Sequence, residues 1–374
     1  MCIYPLPQET LENMKRFQYK STDDSCTYNK CMSPCLNKLV NYLPTWLAPN
    51  LITLFSLCFN IFAALISFSD GGFDFSFKLK SSTCFIIGIF QLIYQLLDNI
   101  DGKQARRTGN STPFGMLMDH GCDIFTNIFT CFNLSKLLLV GNDNFYSCSA
   151  FLGLILGFYM MTYEEYKLGE MHFPVINGTD EGNLFIFLLG VFLSFFGQDY
   201  MTLKVREDYS ITFGQLIGVG VLLGGISCIF NLYLHTYQKK GAKEAAKNFL
   251  DNIPFYSVIL VPILYIAYDL DFYKDYKWII LVNASLIFAR ITLDIQVKIL
   301  TLDTLTCNIF YFFTNIAFIS SLFIHVNFFK LFFLALLLVV QLTELCFFIY
   351  QRAKEITDFL EIRIFCVNNQ PSLI

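Results

Sequence analysis

Apolar residues in this chain come in long unbroken blocks, separated by short stretches rich in Gly, Asn, Asp and Lys. Strands would show strict alternation, and a soluble helix would show one apolar stripe. Blocks close to the ~20 residues needed to cross a bilayer instead predict membrane-spanning helices. They fall near 51–69, 82–99, 114–140, 147–163, 184–197, 211–234, 253–270, 278–298, 305–324 and 329–350. The expected fold is therefore all-α, a polytopic integral membrane protein with about ten transmembrane helices. Residues 1–50 form an N-terminal segment, in which Met32–Trp46 mixes Leu, Val, Tyr and Trp with Lys and Asn as an interfacial helix does. A first bundle spans 51–234, further helices span 235–350, and a tail runs over 351–374.

Composition sharpens this picture. Hydrophobic residues make up 55% of the 374, with 42 Phe and only 15% charged side chains. The mean hydropathy is +0.52, which excludes a soluble domain with a large core. A net charge of −4 gives no case for nucleic-acid binding. Met1–Thr10 lacks a charged segment followed by an apolar one, so no cleaved signal peptide is expected. The thirteen cysteines are scattered, which argues against a disulfide scaffold. Most Lys and Arg fall in the flanks and loops that share a side with both termini, which places that side, and the acidic stretch described next, in the cytosol.

That stretch carries the chemistry. Asp98, Asp101-Gly102, Ala105-Arg106, Gly115, Asp119 and Asp123 form the pattern D-x2-D-G-x2-A-R-x8-G-x3-D-x3-D. Asp98 and Asp101 are three apart and Asp119 and Asp123 four apart, so on helices each pair shares a face. Carboxylates beside a bilayer are costly unless paired or bound to cations. Four of them suit two divalent ions bridging a diphosphate, and hard oxygen ligands favour Mg²⁺ or Mn²⁺. Gly102 lets a ligand approach the helix backbone, and Ala105 extends that small face. Arg106 offers a fork to phosphate oxygens, with Lys103 as a supporting point charge. A hydroxyl nucleophile also needs a base, and imidazole titrates in the right range. His120 is the only histidine in the stretch, and Asp123 is its rival for that role. Glu164, Glu165 and Tyr166 end the fourth apolar block on the same side, where a carboxylate and an aromatic face suit a quaternary cation. Helix capping explains those three equally well.

The segment D98NIDGKQARRTGNSTPFGMLMDHGCD123 resembles the signature of the CDP-alcohol phosphotransferases, with no substitution at a defining position. The wider chain is similar to the choline/ethanolamine phosphotransferase branch, through Ala48-Pro49-Asn50-Leu51-Ile52-Thr53, Asp119-His-Gly-Cys-Asp123 and Glu164-Glu165-Tyr166. It departs at Asn177-Gly-Thr-Asp-Glu-Gly182, where many relatives read Asn-Gly-Pro-Thr-Glu-Gly. The resemblance implies transfer of a phospho-alcohol from CDP-choline or CDP-ethanolamine to diacylglycerol, with release of CMP. It assigns Asp98, Asp101, Asp119 and Asp123 to two metal ions, Gly102, Ala105 and Arg106 to the CDP moiety, and Asn50 to its neighbourhood. It makes 51–234 the catalytic bundle and implies a homodimer through the later helices, in an endoplasmic reticulum or Golgi membrane. Two other classes compete. Inositol or glycerophosphate relatives share the motif, but typically with about six spans. An inactive homologue kept as a structural membrane subunit would be expected to have lost a motif aspartate or Arg106, and this chain has lost neither.

Overall fold

The computed structural model describes residues 5–142, 146–175, 177–206, 208, 210–305 and 309–367. The start of the block at 305–324 and residues 368–374 of the tail thus fall partly outside the described residues. The rest is almost wholly helical: α1 (Gln8–Met14), α2 (Ser33–Leu39), α3 (Pro49–Ser69), α4 (Ser81–Thr108), α5 (Pro113–Leu137), α6 (Ser149–Leu168), α7 (Glu181–Phe196), α8 (Phe213–Lys240), α9 (Ala242–Asp251), α10 (Ile253–Tyr268), α11 (Leu270–Thr301), α12 (Ile309–Ser320) and α13 (Asn327–Leu360). Two three-residue strands, β1 (Ser21–Asp23) and β2 (Met171–Phe173), pair in parallel and fasten the N-terminal segment beside the end of α6.

Each of the ten apolar blocks is occupied by a helix, yet the blocks are not equivalent. Five helices (α3, α4, α8, α11 and α13) are long and apolar enough to cross a membrane. The pair α9 and α10, bent by 53°, makes a sixth if it is read as one broken span. The protein is a polytopic membrane protein, but the count of ten is not carried by the structure. Asp119, Asp123 and Lys136 interrupt α5, Glu164-Glu165 and Lys167 end α6, and α7 and α12 are short. Within Met32–Trp46 the chain forms α2 and a 3-10 turn at Val40–Tyr42.

The surface is inverted relative to that of a soluble protein. Phe328, Phe332, Val339 and Tyr350 of α13 and Leu223 and Phe230 of α8 are exposed, as lipid-facing side chains should be. The interior is built around α11, whose apolar segment is 78% buried and which packs against α5, α6, α10, α12 and α13. Small residues set the closest helix approaches. Gly88 of α4 meets Gly190 of α7, and Gly153 of α6 meets Gly225 of α8; a Cβ on Gly153 would stand 2.5 Å from the Val221 carbonyl oxygen. Deep in the second half, buried Arg290 of α11 donates to both carboxylate oxygens of Glu344 at 2.9 Å and to the Tyr311 hydroxyl at 2.8 Å. Its guanidinium lies 3.5 Å from the centre of the Phe348 ring.

Candidate active site

Local chain signals bring the two acidic helices side by side. α4 ends at Gly109, which takes the left-handed conformation (φ 63°) that glycine adopts without strain. The Thr112 hydroxyl then caps α5 by accepting the Gly115 amide at 3.0 Å, and Pro113 occupies the first turn, where its missing N–H costs nothing. At 1.5 Å per residue, Asp98 lies about 26 Å along α4 and Asp119 about 9 Å into α5, so both sit near one membrane face.

Asp98, Asp119 and Asp123 each present a carboxylate oxygen within 4.8 Å of the other two. Tyr94, one turn before Asp98, donates its hydroxyl to Asp123 Oδ1 at 2.8 Å. Asp101 stands outside this trio, buried, and accepts a hydrogen bond from the Thr53 hydroxyl of α3. Asp98 Oδ1 and Asp119 Oδ1 are buried without a hydrogen-bond partner. Three carboxylates packed this closely, with orphaned oxygens and no basic side chain paired to them among the described residues, form a group that could hold a divalent cation. The donor set is all carboxylate, which fits Mg²⁺ or Mn²⁺ and not a soft metal.

His120 follows Asp119 directly and also engages residues of other segments. Its Nδ1 lies 3.3 Å from the Gln296 side-chain oxygen of α11 and 4.0 Å from Glu165 Oε2 of α6. Tyr19 meets the imidazole edge-on, with ring centres 5.7 Å apart. Three segments distant in sequence thus converge on one ring. Gln296, Tyr19, Tyr94 and Thr53 were not singled out as site residues from sequence. Tyr94 carried a usable signal, its four-residue spacing from Asp98, and Thr53 closes the Ala48–Thr53 segment; Gln296 lies more than a hundred residues beyond the motif.

The candidate nucleotide contacts divide. Gly102 is open on one side, since a Cβ there would meet only the Arg106 guanidinium, at 3.6 Å. Ala105 is half-buried and Arg106 exposed on the same helix end. Lys103 turns instead to the N-terminal segment, donating to Asn37 at 2.9 Å and Ser33 at 3.2 Å. Arg107 likewise clamps the Val40 and Leu43 carbonyls at 2.8 Å. Asn50 is buried and donates to the Ile364 carbonyl at 2.8 Å. Of the headgroup candidates, only Glu165 faces His120. Glu164 is bound to His235 Nδ1 at 2.6 Å, and the Tyr166 hydroxyl accepts the Leu305 amide at 2.9 Å. Glu181, another acidic candidate, fastens the strap by accepting from Ser25 at 2.8 Å and from the Thr27 amide at 3.2 Å.

A helical membrane bundle with clustered carboxylates defines an integral membrane protein with a polar site that could hold a divalent cation. Residues 46–180 match the profile of the CDP-alcohol phosphatidyltransferase family. It is 32% identical over 199 residues to choline/ethanolaminephosphotransferase 1 of Arabidopsis thaliana, covering 52% of this chain and 49% of the relative. It is 31% identical over 241 residues to rat cholinephosphotransferase 1, covering 62% and 58%. An uncharacterized class-I family protein of Dictyostelium discoideum aligns over 96% of the chain and 94% of its own length, at 28% identity. With the plant and rat relatives, the chain therefore spans about half to three-fifths of their length.

Proposed function

We propose that this protein transfers phosphocholine or phosphoethanolamine from the CDP-alcohol to diacylglycerol, releasing CMP. The observation that carries the reading is the trio Asp98, Asp119 and Asp123 with its orphaned oxygens, beside an open Gly102 and an exposed Arg106. The similarity to choline- and ethanolaminephosphotransferases supports the headgroup class. Asp98, Asp101, Asp119 and Asp123 would hold two Mg²⁺ or Mn²⁺ ions, which when bound offset the charge of the diphosphate and of departing CMP.

The chain's own residues supply the rest. Gly102 and Ala105 leave room for the nucleotide against α4, and Arg106 forks onto its phosphate oxygens. His120 takes the proton of the diacylglycerol hydroxyl. The hydroxyl oxygen then bonds to the phosphorus that bears the alcohol, and the bond from that phosphorus to the bridging oxygen breaks, its electron pair leaving with CMP. Glu165 and Gln296 both face Nδ1, so a proton held there directs the Nε2 lone pair outward and balances the imidazolium once it forms. The same reading includes a homodimer in an endoplasmic reticulum or Golgi membrane with its site facing the cytosol.

The test is incorporation of label from CDP-choline or CDP-ethanolamine into phospholipid, in membranes lacking their own phosphotransferases. Product from the intact chain and none from Asp119→Ala is expected, and the ratio of the two products gives the headgroup preference. A folded intact chain that labels neither product would return the choice to an inositol- or glycerophosphate-type activity or to a structural subunit.

A further inference from the structure

A second polar cavity of about 620 Å³ opens beside the site, between the N-terminal strap, the end of α6, α9 and the end of α11. Six basic residues line it against four acidic ones, and the acids are largely spoken for. Lys167 pairs with Glu244 at 2.9 Å and Asp251 at 3.6 Å, Lys298 pairs with Asp303 at 2.7 Å, and Glu165 is turned toward His120. Lys240 donates to the Lys167 carbonyl and is not in a direct ion pair among the described residues. Arg16, Lys20 and Lys247, all exposed at the mouth, have no ion-pair partner among the described residues. The cavity therefore presents a surplus of positive charge in a volume that fits a small ligand.

Its surroundings say where that ligand comes from. α9 is strongly amphipathic, with basic residues on one side, and Phe249, Leu250 and Ile253 at the bend into α10 are exposed apolar side chains. Basic residues next to exposed apolar ones at a membrane boundary suit an anionic headgroup whose chains lie alongside. The strap adds a link to the site. Gln18 and Lys20 line the cavity, while Tyr19 between them rests on His120.

We propose that this cavity binds a phosphate monoester, carried by a membrane lipid, and that the bound headgroup clamps the strap through Arg16 and Lys20. The proposal does not depend on the headgroup reaction, because its test reads binding and strap protection instead of turnover.

The full chain in phosphatidylcholine nanodiscs would be compared with the same discs containing phosphatidic acid, following amide hydrogen exchange over residues 15–24. Free glycerol 3-phosphate, which carries the same phosphate without acyl chains, forms the second arm. Phosphatidic acid is expected to slow exchange of the strap at least tenfold. Both Lys247→Glu, which leaves the strap unaltered, and Arg16→Glu/Lys20→Glu should abolish the effect. An equal response to glycerol 3-phosphate would keep the phosphate site but overturn the lipid source. No slowing with either phosphate, or slowing that persists in both variants, would overturn the site itself.

Discussion

Replacing Tyr94 by Phe keeps the buried ring and removes one oxygen, the one that donates to Asp123 Oδ1 at 2.8 Å. Tyr94 is only 5% exposed, so water cannot readily take its place. A hydrogen bond to a charged group contributes about 1.5–3 kcal/mol, and losing it leaves a buried acceptor unpaired. At 1.4 kcal/mol per factor of ten, that corresponds to roughly 10–150-fold. The loss should fall on cation binding, because partners that orient a ligating carboxylate typically set about 10–100-fold in metal affinity or activity. The assay is the Mg²⁺ dependence of phospholipid formation by purified protein in lipid discs, with Mn²⁺ binding followed in parallel by electron paramagnetic resonance. Tyr94→Phe should shift both curves to higher metal concentration while the melting temperature moves little. Superimposable curves for a folded Tyr94→Phe would refute the claim that this hydroxyl orients a metal-holding carboxylate.

Other consequences can be checked on the same preparations. Arg290→Met strands the buried Glu344 carboxylate and should destabilise the protein by about 3–5 kcal/mol, whereas Arg290→Met/Glu344→Leu should recover most of the loss in a thermal melt. Gly153→Leu drives side-chain atoms into the α8 backbone, starting from a Cβ 2.5 Å from the Val221 carbonyl oxygen. It should cost about 1–3 kcal/mol or more, while Gly157→Ala, whose Cβ would meet Gly225 at 3.8 Å, should melt like the parent. Asp180, in the loop ahead of α7, is pushed from 3.8 up to about 6 chiefly by burial. A carboxyl raised in the folded state favours folding while protonated. Stability should therefore fall as pH rises from about 4 to about 6 and level off above, and Asp180→Asn should flatten that slope in melts taken across the range.

The acidic motif was legible because its chemistry is local. Helix periodicity alone puts Asp98 with Asp101 and Asp119 with Asp123 on common faces, and Gly109, Thr112 and Pro113 announce the turn that folds one helix beside the other. Adjacent residues defeat the same reasoning. Glu164 and Glu165 differ by about 100° around α6, and only packing against α8 and α5 decides that the first meets His235 and the second His120. The partners Thr53 and Gln296 come from separate helices, and although Thr53 closes the Ala48–Thr53 segment that carries the resemblance, nothing around Gln296 marks it. Asp101, equivalent to its companions by spacing, lies against Asp119 and also accepts from Thr53. The structure supports five or six of the ten expected spans by length and apolarity, because apolar blocks report hydrophobicity but not which helices are clad by protein. A helix such as α5 tolerates Asp119, Asp123 and Lys136 because other helices enclose it.

The contact between the Asn50 amide and the Ile364 carbonyl has a consequence for biosynthesis. Asn50 opens the first long helix, which enters the membrane early, but its partner lies more than three hundred residues later. Until translation reaches residue 364, that helix start lacks the partner that fixes it. A chain halted after α11 would hold every motif aspartate together with His120, Glu165 and Gln296, yet would lack this final latch. The polar end of the bundle is thus completed only after residue 364 has been made, which separates insertion of the first long helix in time from the finished site.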